Sequence, residues 1–272
     1  MTLDPRRTAL WRAMGLGPQW LPRERVADST VTGVAEAADA VPALDGGATD
    51  HRGAAAVGEP PARIATPAPA VTGDRSAIAT LDWDALRSTV AGCTACGLCK
   101  TRKQTVFGVG HPQAHWMIVG EAPGAEEDAR GEPFVGQAGR LLDSMLAAIG
   151  LARDAQQAAQ AVYIANVLKC RPPGNRNPEP AEVAQCDPFL KRQVELVNPR
   201  LILVMGRFAA QSLLGTEASI ASLRGRVHQI EVAGRKRPVV VTYHPAYLLR
   251  NLADKSKSWA DLCLARRVAA GH

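Results

Sequence analysis

The sequence predicts an α/β protein, a mostly parallel sheet covered on both faces by helices and preceded by a disordered N-terminal extension. Three observations carry this. Four short apolar runs, Trp116–Val119, Val162–Leu168, Leu201–Met205 and Val239–Thr242, read as buried strands. Helical patterns alternate with them, as parallel strands require. Residues 27–80 hold 16 alanines, five prolines and no aromatic residue, too little apolar surface to offset chain entropy.

In chain order, residues 1–26 set Trp11, Leu16 and Trp20 among arginines. A short amphipathic helix around Thr8–Met14 reads either as a docking peptide for a protein partner or as a frayed end. Arg6, Arg7 and Arg12 precede no apolar core of a signal peptide. No apolar run approaches the ~20 residues of a membrane span. The expected setting is therefore cytoplasmic, with no membrane partner. Residues 27–80 are the linker, where Pro42, Pro60, Pro61, Pro67 and Pro69 oppose helix despite the alanines.

The folded domain is expected over 81–272. Leu81 to Leu86 looks like a helix start, with Asp82 and Asp84 in its first turn. The stretch 115–150 organises the rest of the domain. Its strand breaks at Gly120 into a loop rich in glycine and carboxylates. It closes on Leu141, Leu142, Met145, Leu146 and Ile149, one apolar face of a helix. Ligands of such sheets bind at the carboxyl ends of strands, where this loop sits. The loop lacks the Lys-Ser/Thr of a P-loop and its acidity repels a triphosphate, which excludes nucleoside triphosphate binding. The second strand runs to Cys170 and the loop Arg171–Pro178. Pro180 suits the first turn of a helix toward Val197. Strands over 201–205 and 239–242 come next, the latter leading into His244-Pro245, and a terminal helix covers about 256–269.

Charge is uneven. The formal net charge is +6, yet residues 81–272 hold 24 Lys/Arg against 17 Asp/Glu. A basic folded part suggests a polyanionic partner, nucleic acid first. Six cysteines in a chain of 272 residues do not resemble a disulfide-dense secreted domain. Cys93 and Cys96 form C-x2-C, and Cys170 and Cys186 follow at a distance. This is a metal or cluster pattern, and spacing alone leaves Zn²⁺ and [4Fe–4S] both open. Cys99 extends the pattern to C-x2-C-x2-C, but Lys103 stands where a ferredoxin-type fourth cysteine belongs, so Cys99 reads as a bystander. Cys263, between Leu262 and Leu264, reads as a small buried hydrophobe.

Three motifs, GEAPGAEEDARGEPFVGQAGRLL, NVLKCRPPGNRNP and HPAYLLR, occur in this order with these cysteines. Together they resemble the family 4 uracil-DNA glycosylases over about residues 83–269. The related family 5 has an apolar residue where this chain has Glu121. The resemblance implies a three-layer α/β/α sandwich around a four-stranded mostly parallel sheet. It implies a monomer that acts on uracil-containing DNA in base-excision repair, hydrolysing the N-glycosidic bond and leaving an abasic site. It also implies a [4Fe–4S] cluster on Cys93, Cys96, Cys170 and Cys186.

The chemistry assigns roles to residues. A base in a duplex must be flipped into a pocket, where it needs a flat apolar surface; Phe134, alone in a polar loop, suits that. The uracil edge offers O4 and N3–H, which an amide side chain matches; Asn166 at a strand end is the candidate. By similarity, Glu127 lies against C5, where a methyl group would distinguish thymine, and Ala122 borders the base. His244 can donate to O2 as charge builds on the leaving base. Glu121 resembles the family's water-positioning residue. Leu248, Leu249 and Arg250 are expected to enter the space left by the flipped base. Lys169, Arg171, Arg176 and Lys255 are expected at phosphates.

Overall fold

The computed structural model describes residues 13–14 and 75–271. Its six strands are β1 (Val109–Gly110), β2 (Trp116–Gly120), β3 (Val162–Asn166), β4 (Leu201–Met205), β5 (Val227–Val232) and β6 (Arg235–Thr242). They form one sheet in the order β1-β3-β2-β4-β6-β5. The four inner strands run parallel, and both edge strands are antiparallel to their neighbours.

The expected four strands are the four inner ones, so the sheet is larger and more mixed than the sequence suggests. The reason is local. β1 is only two residues long and carries no periodic signal. β5 alternates exposed and partly buried residues, as a half-solvated edge strand does. Its hairpin to β6 turns on Ala233 and Gly234, both at positive φ, a conformation that alanine does not advertise. Pro238 sits in β6 opposite Gln229 and disguises the first half of that strand.

The eight α-helices among the described residues are α1 (Trp83–Ala91), α2 (Ala125–Arg130), α3 (Gln137–Ala147), α4 (Pro180–Val197), α5 (Arg207–Leu214), α6 (Ile220–Leu223), α7 (Pro245–Arg250) and α8 (Lys255–Ala269). Asp82 caps α1 by accepting the Ala85 N–H at 2.8 Å. Pro180 opens α4 at its first turn, where its missing N–H costs nothing, and Asn198 ends it in the left-handed conformation.

Alternation along the strands divides the core. Ile118, Ile164, Leu203 and Val240 face α3 and α8, meeting Leu142, Met145, Leu146, Leu262 and Ala265. Met117, Val119, Ala165, Ile202, Val204 and Val241 face α4 and α5, meeting Leu190, Val194, Ala209 and Ala210. Period-two side-chain direction thus produces helices on both faces of the sheet. No helix among the described residues is long and apolar enough to cross a membrane.

The fold begins ahead of the expected Leu81. A 3₁₀ turn spans Ser76–Thr80, and Ile78 is buried with Leu86, Val90, Phe107 and Phe189. The linker region lacks aromatic residues of its own, so the two phenylalanines that cover Ile78 come from elsewhere in the chain. Met14 is also buried, in the cluster on the α3 and α8 face. The rest of the expected docking helix over Thr8–Met14, and the linker up to residue 74, lie outside the described residues.

Candidate active site

The carboxyl ends of the parallel strands converge. Gly120 at the end of β2 pairs in register with Asn166 at the end of β3. The Gly206 N–H donates to the Thr242 carbonyl at 2.9 Å, joining β4 to the end of β6 just before His244. Above these ends lies a cavity of about 470 Å³. Glu121, Ala122, Glu127, Phe134, Asn166 and His244 line it, as do Arg176 and Arg250. Eight of the residues singled out from the sequence therefore share one cavity, although they lie up to 129 positions apart in the chain.

Asn166 is 2% exposed, and its side-chain Oδ1 is buried with no hydrogen-bond partner. A buried acceptor left unpaired costs about 1–3 kcal/mol, so this oxygen is set for a donor brought by a ligand. Gly120 makes room for it. A Cβ there would stand 2.4 Å from Asn166 Oδ1 and 2.7 Å from Phe134 Cζ. Reading Gly120 as a strand break alone misses this close approach.

Phe134 adopts φ 56°, a left-handed conformation that a phenylalanine takes only under constraint. Three contacts supply it. Glu127 accepts the N–H of Gly124 and of Val135, each at 3.0 Å, so its carboxylate joins the start of α2 to the turn after Phe134. Arg153 donates to the carbonyls of Pro133 (3.3 Å) and Phe134 (3.1 Å) while paired to Asp143. The Phe134 carbonyl packs so closely on Gly139 that a Cβ there would sit 1.8 Å from the oxygen. Glu127 is thus more than one acid in a solvated run; it holds the loop that carries Phe134. Arg153 has no signal in the sequence, because its partners are 10 to 20 positions away.

His244 precedes α7, and its Nδ1 accepts the Ala246 N–H at 3.2 Å. In the neutral ring the proton is therefore on Nε2. Burial pushes its pKa down to about 4, and Arg250 adds to the fall, while Glu127 opposes it. The imidazole is neutral at physiological pH, a hydrogen-bond donor without charge. Its ring stacks on Phe134 with centroids 5.3 Å apart. Glu121 is partly buried at the end of β2. Burial raises its carboxyl pKa, and Arg207 pulls the other way.

The cavity wall continues into the loop after β3. Pro172, Asn175 and Arg176 line it. Arg171 donates to Asn175 Oδ1 at 2.8 Å, and Arg176 pairs with Glu182 of α4 at 2.6 Å. This loop lies between Cys170 and Cys186. Both are buried and pack with Leu98, Leu168 and the partly buried Cys96. None of the six cysteines is in a disulfide. Burial pushes the Cys170 thiol above its ordinary pKa, against the pull of the Arg102 guanidinium, and pushes the Cys186 thiol up to about 12. Burial likewise raises the Cys96 thiol, and the Cys99 sulfur lies 3.9 Å from the Thr94 carbonyl. Arg102 donates to Cys170 Sγ at 3.0 Å, and Arg75 reaches Cys93 Sγ at 3.9 Å. Among the described residues no three His, Cys, Asp or Glu side chains converge for a single metal ion. Cys263 on α8 is only partly buried, less enclosed than expected.

Two expected groups of DNA contacts need correction. Leu248 is 1% exposed in the core beneath α7, so it is not available as a wedge; its neighbour Leu249 is exposed. Lys169 is likewise 1% exposed, and its ammonium bonds inside the protein, out of reach of any phosphate. Lys255 is also buried. Helical direction explains Leu248: in one short turn adjacent leucines point to different sides. Tyr247, which carries no distinguishing signal in the sequence, lines the cavity beside Arg250.

Comparison with known proteins gives a consistent match. The profile of the Uracil DNA glycosylase superfamily matches residues 107–264. A type-4 uracil-DNA glycosylase of Archaeoglobus fulgidus is 48% identical over 164 residues, 59% of this chain and 79% of that protein. Those of Pyrobaculum aerophilum and Thermotoga maritima are 39% and 44% identical, covering 68% and 61% of this chain and 93% and 82% of those proteins.

Proposed function

Because the chain belongs to the uracil-DNA glycosylase superfamily, we propose that it excises uracil from DNA by hydrolysing the N-glycosidic bond, as a type-4 enzyme of base-excision repair. The observation that carries this reading is the unpartnered Oδ1 of Asn166 beside the Phe134 ring and the His244 imidazole in one cavity. Uracil flipped from the helix stacks on Phe134. Its N3–H donates to Asn166 Oδ1, and the side-chain amide of Asn166 donates to O4. Cytosine presents the opposite polarity at both atoms and leaves the buried amide mismatched.

Bond cleavage leaves negative charge on uracil and cationic character on the sugar. The neutral His244 donates from Nε2 to O2 as the charge develops. A preorganised donor of this kind is worth roughly 3–4 kcal/mol in other enzymes. Glu121 lies on the sugar side, where a carboxylate favours the cation and orients water. Glu127 acts by fixing the Phe134 loop and by closing the space at C5. Arg176 and Arg250, at the cavity edge, meet the phosphates with Arg171. Leu249 takes the wedge position.

Cys93, Cys96, Cys170 and Cys186 would hold a [4Fe–4S] cluster. The donor set fits it: four unbridged cysteines, two of them buried, with Arg102 and Arg75 reaching two of the sulfurs to offset thiolate charge. When bound, the cluster cross-links the segment before β2 to the segment after β3. It thereby braces the Arg171–Pro178 wall of the cavity. The enzyme works as a monomer in the cytoplasm, on the chromosome. The test is release of free base from oligonucleotides carrying one uracil, thymine or cytosine. Uracil alone should be released. No release of uracil from single- or double-stranded DNA would end the proposal.

A further inference from the structure

One aromatic side chain of the cavity is left over from the reading of the base. Phe134 and His244 stack on each other, whereas Tyr247 stands in a separate pair with Tyr243, ring centroids 4.8 Å apart and 27° from parallel. Tyr243 is buried, but Tyr247 is only partly buried and lines the cavity. Its hydroxyl donates to Asp254 Oδ2 at 2.6 Å, and Asp254 pairs with Lys257 at 2.8 Å. Behind the pair, the Arg224 guanidinium lies 4.4 Å from the Tyr243 ring centroid and bonds the buried Asp261 of α8 at 2.6 Å. Stacking on one side and a hydrogen bond at the tip leave the Tyr247 ring little freedom.

Helix geometry says what this ring meets. His244, Tyr247 and Arg250 are spaced by three, and residues so spaced share one face of a helix. All three line the cavity, while Leu248 turns into the core and Leu249 is exposed. The Tyr247 N–H donates to the His244 carbonyl at 2.9 Å, so the first turn of α7 joins the two. Each step of three advances about 4.5 Å along the axis. The face runs from the partly buried His244 to the exposed Arg250. In uracil, O2 is on the carbon bonded to N1, and N1 carries the sugar. With His244 at O2, the next group along the face meets the deoxyribose, and the one beyond it meets the phosphate.

We propose that Tyr247 packs its ring on the deoxyribose of the flipped nucleotide, as the sugar-contacting residue between the base contact of His244 and the phosphate contact of Arg250. The inference rests on the reading of the cavity as a uracil site. The carbon edges of a deoxyribose are apolar, and an aromatic ring already held in place packs on them with little further loss of freedom. The contact fixes C1′ while the base departs, and a small misplacement of the reacting centre slows an enzyme steeply. Ala246, the remaining α7 residue in the cavity lining, has only a methyl group to offer.

The experiment uses the full chain. Uracil release by the parent comes first; its absence ends the reading of the cavity, and this inference with it. In the active protein, affinities are compared for two DNAs that lack the base. One carries a tetrahydrofuran ring in place of the nucleoside, and the other a propanediol spacer with the same phosphates and no ring. The parent should bind the ring-bearing DNA about tenfold more tightly, the scale of one well-packed aromatic contact. Tyr247→Ala should lose that preference. Tyr247→Phe should keep it, because the ring remains, and so should Asn166→Ala, which alters only the reading of the base. Equal affinities in the parent, an undiminished preference in Tyr247→Ala, or its loss in either of the other two variants overturns the proposal. Should Tyr247→Ala not fold, isotope labelling of the three tyrosine rings decides. The parent's ring signal that is missing from Tyr247→Phe must then shift with the ring-bearing DNA and not with the spacer DNA, and no such difference overturns the proposal as well.

Discussion

The ring of His244 lies over that of Phe134, 27° from parallel with centroids 5.3 Å apart. One residue follows the last strand of the sheet, and the other sits in the loop before α3, so the contact closes the cavity across the two ends of the catalytic motifs. It also covers one face of the imidazole, and burial is the first cause of its low pKa. Phe134→Ala should therefore do two things. It should remove the stacking surface for the base, and it should let the His244 pKa rise from about 4 toward its ordinary 6.5. Titration of the ring by NMR in the folded variant checks the second effect independently of activity. A value still near 4 would mean that Phe134 does not shield the ring.

The same ring ties stability to pH. Its folded pKa of about 4 is below the ordinary 6.5. Between those values the unfolded chain takes up a proton that the folded chain refuses. Stability from this group is complete above about 6.5 and declines as pH falls toward 4, by roughly 3 kcal/mol at most. His244→Gln should remove that part of the decline. Urea unfolding at pH 7 and pH 5 measures it, and an identical pH difference in parent and variant would show that His244 is not the group responsible.

Gly120→Ala tests the close approach at the strand end. The added methyl would meet Asn166 Oδ1 and the Phe134 ring, and both must shift. We expect a single-turnover rate at least about 100-fold lower, comparable to loss of a charge-stabilising donor elsewhere. The circular dichroism spectrum should be unchanged, because Gly120 is not at positive φ. A fully active variant would mean that the space around Asn166 is not fixed.

Much of this site is legible in the sequence because β-strand ends and helix starts leave local signals. The run at 116–119, the polar loop after it, Asn166 after an apolar strand and His244-Pro245 are all readable in short windows, and all come to one cavity. What is not legible depends on depth. Lys169 stands near Arg171 in the sequence, and charge alone groups both as phosphate contacts. One is buried in a polar network and the other is part of the outer loop. Leu248 and Leu249 are chemically identical neighbours, and only packing decides that the first is core. Arg153 and Gly120 act through contacts made after the chain has folded. β5 leaves no clear mark because an edge strand buries too little to carry a continuous apolar run.

Arg153 offers a further check on those long-range contacts. Arg153→Met removes the donors to Pro133 and Phe134 and the partner of Asp143. Phe134 would then hold its left-handed conformation with less support. Excision should slow by about tenfold, equivalent to roughly 1.4 kcal/mol, while the Asn166 side of the cavity is untouched. Unaltered excision kinetics would show that Glu127 and Gly139 suffice to hold the loop.

Everything proposed for the cavity turns on Asn166 reading uracil. Single-turnover release of uracil from one oligonucleotide, by the parent and by Asn166→Ala at matched iron content, tests this most directly. The variant should be at least about 100-fold slower, the scale of losing one preorganised hydrogen-bonding group. Equal rates in the two proteins would contradict the assignment.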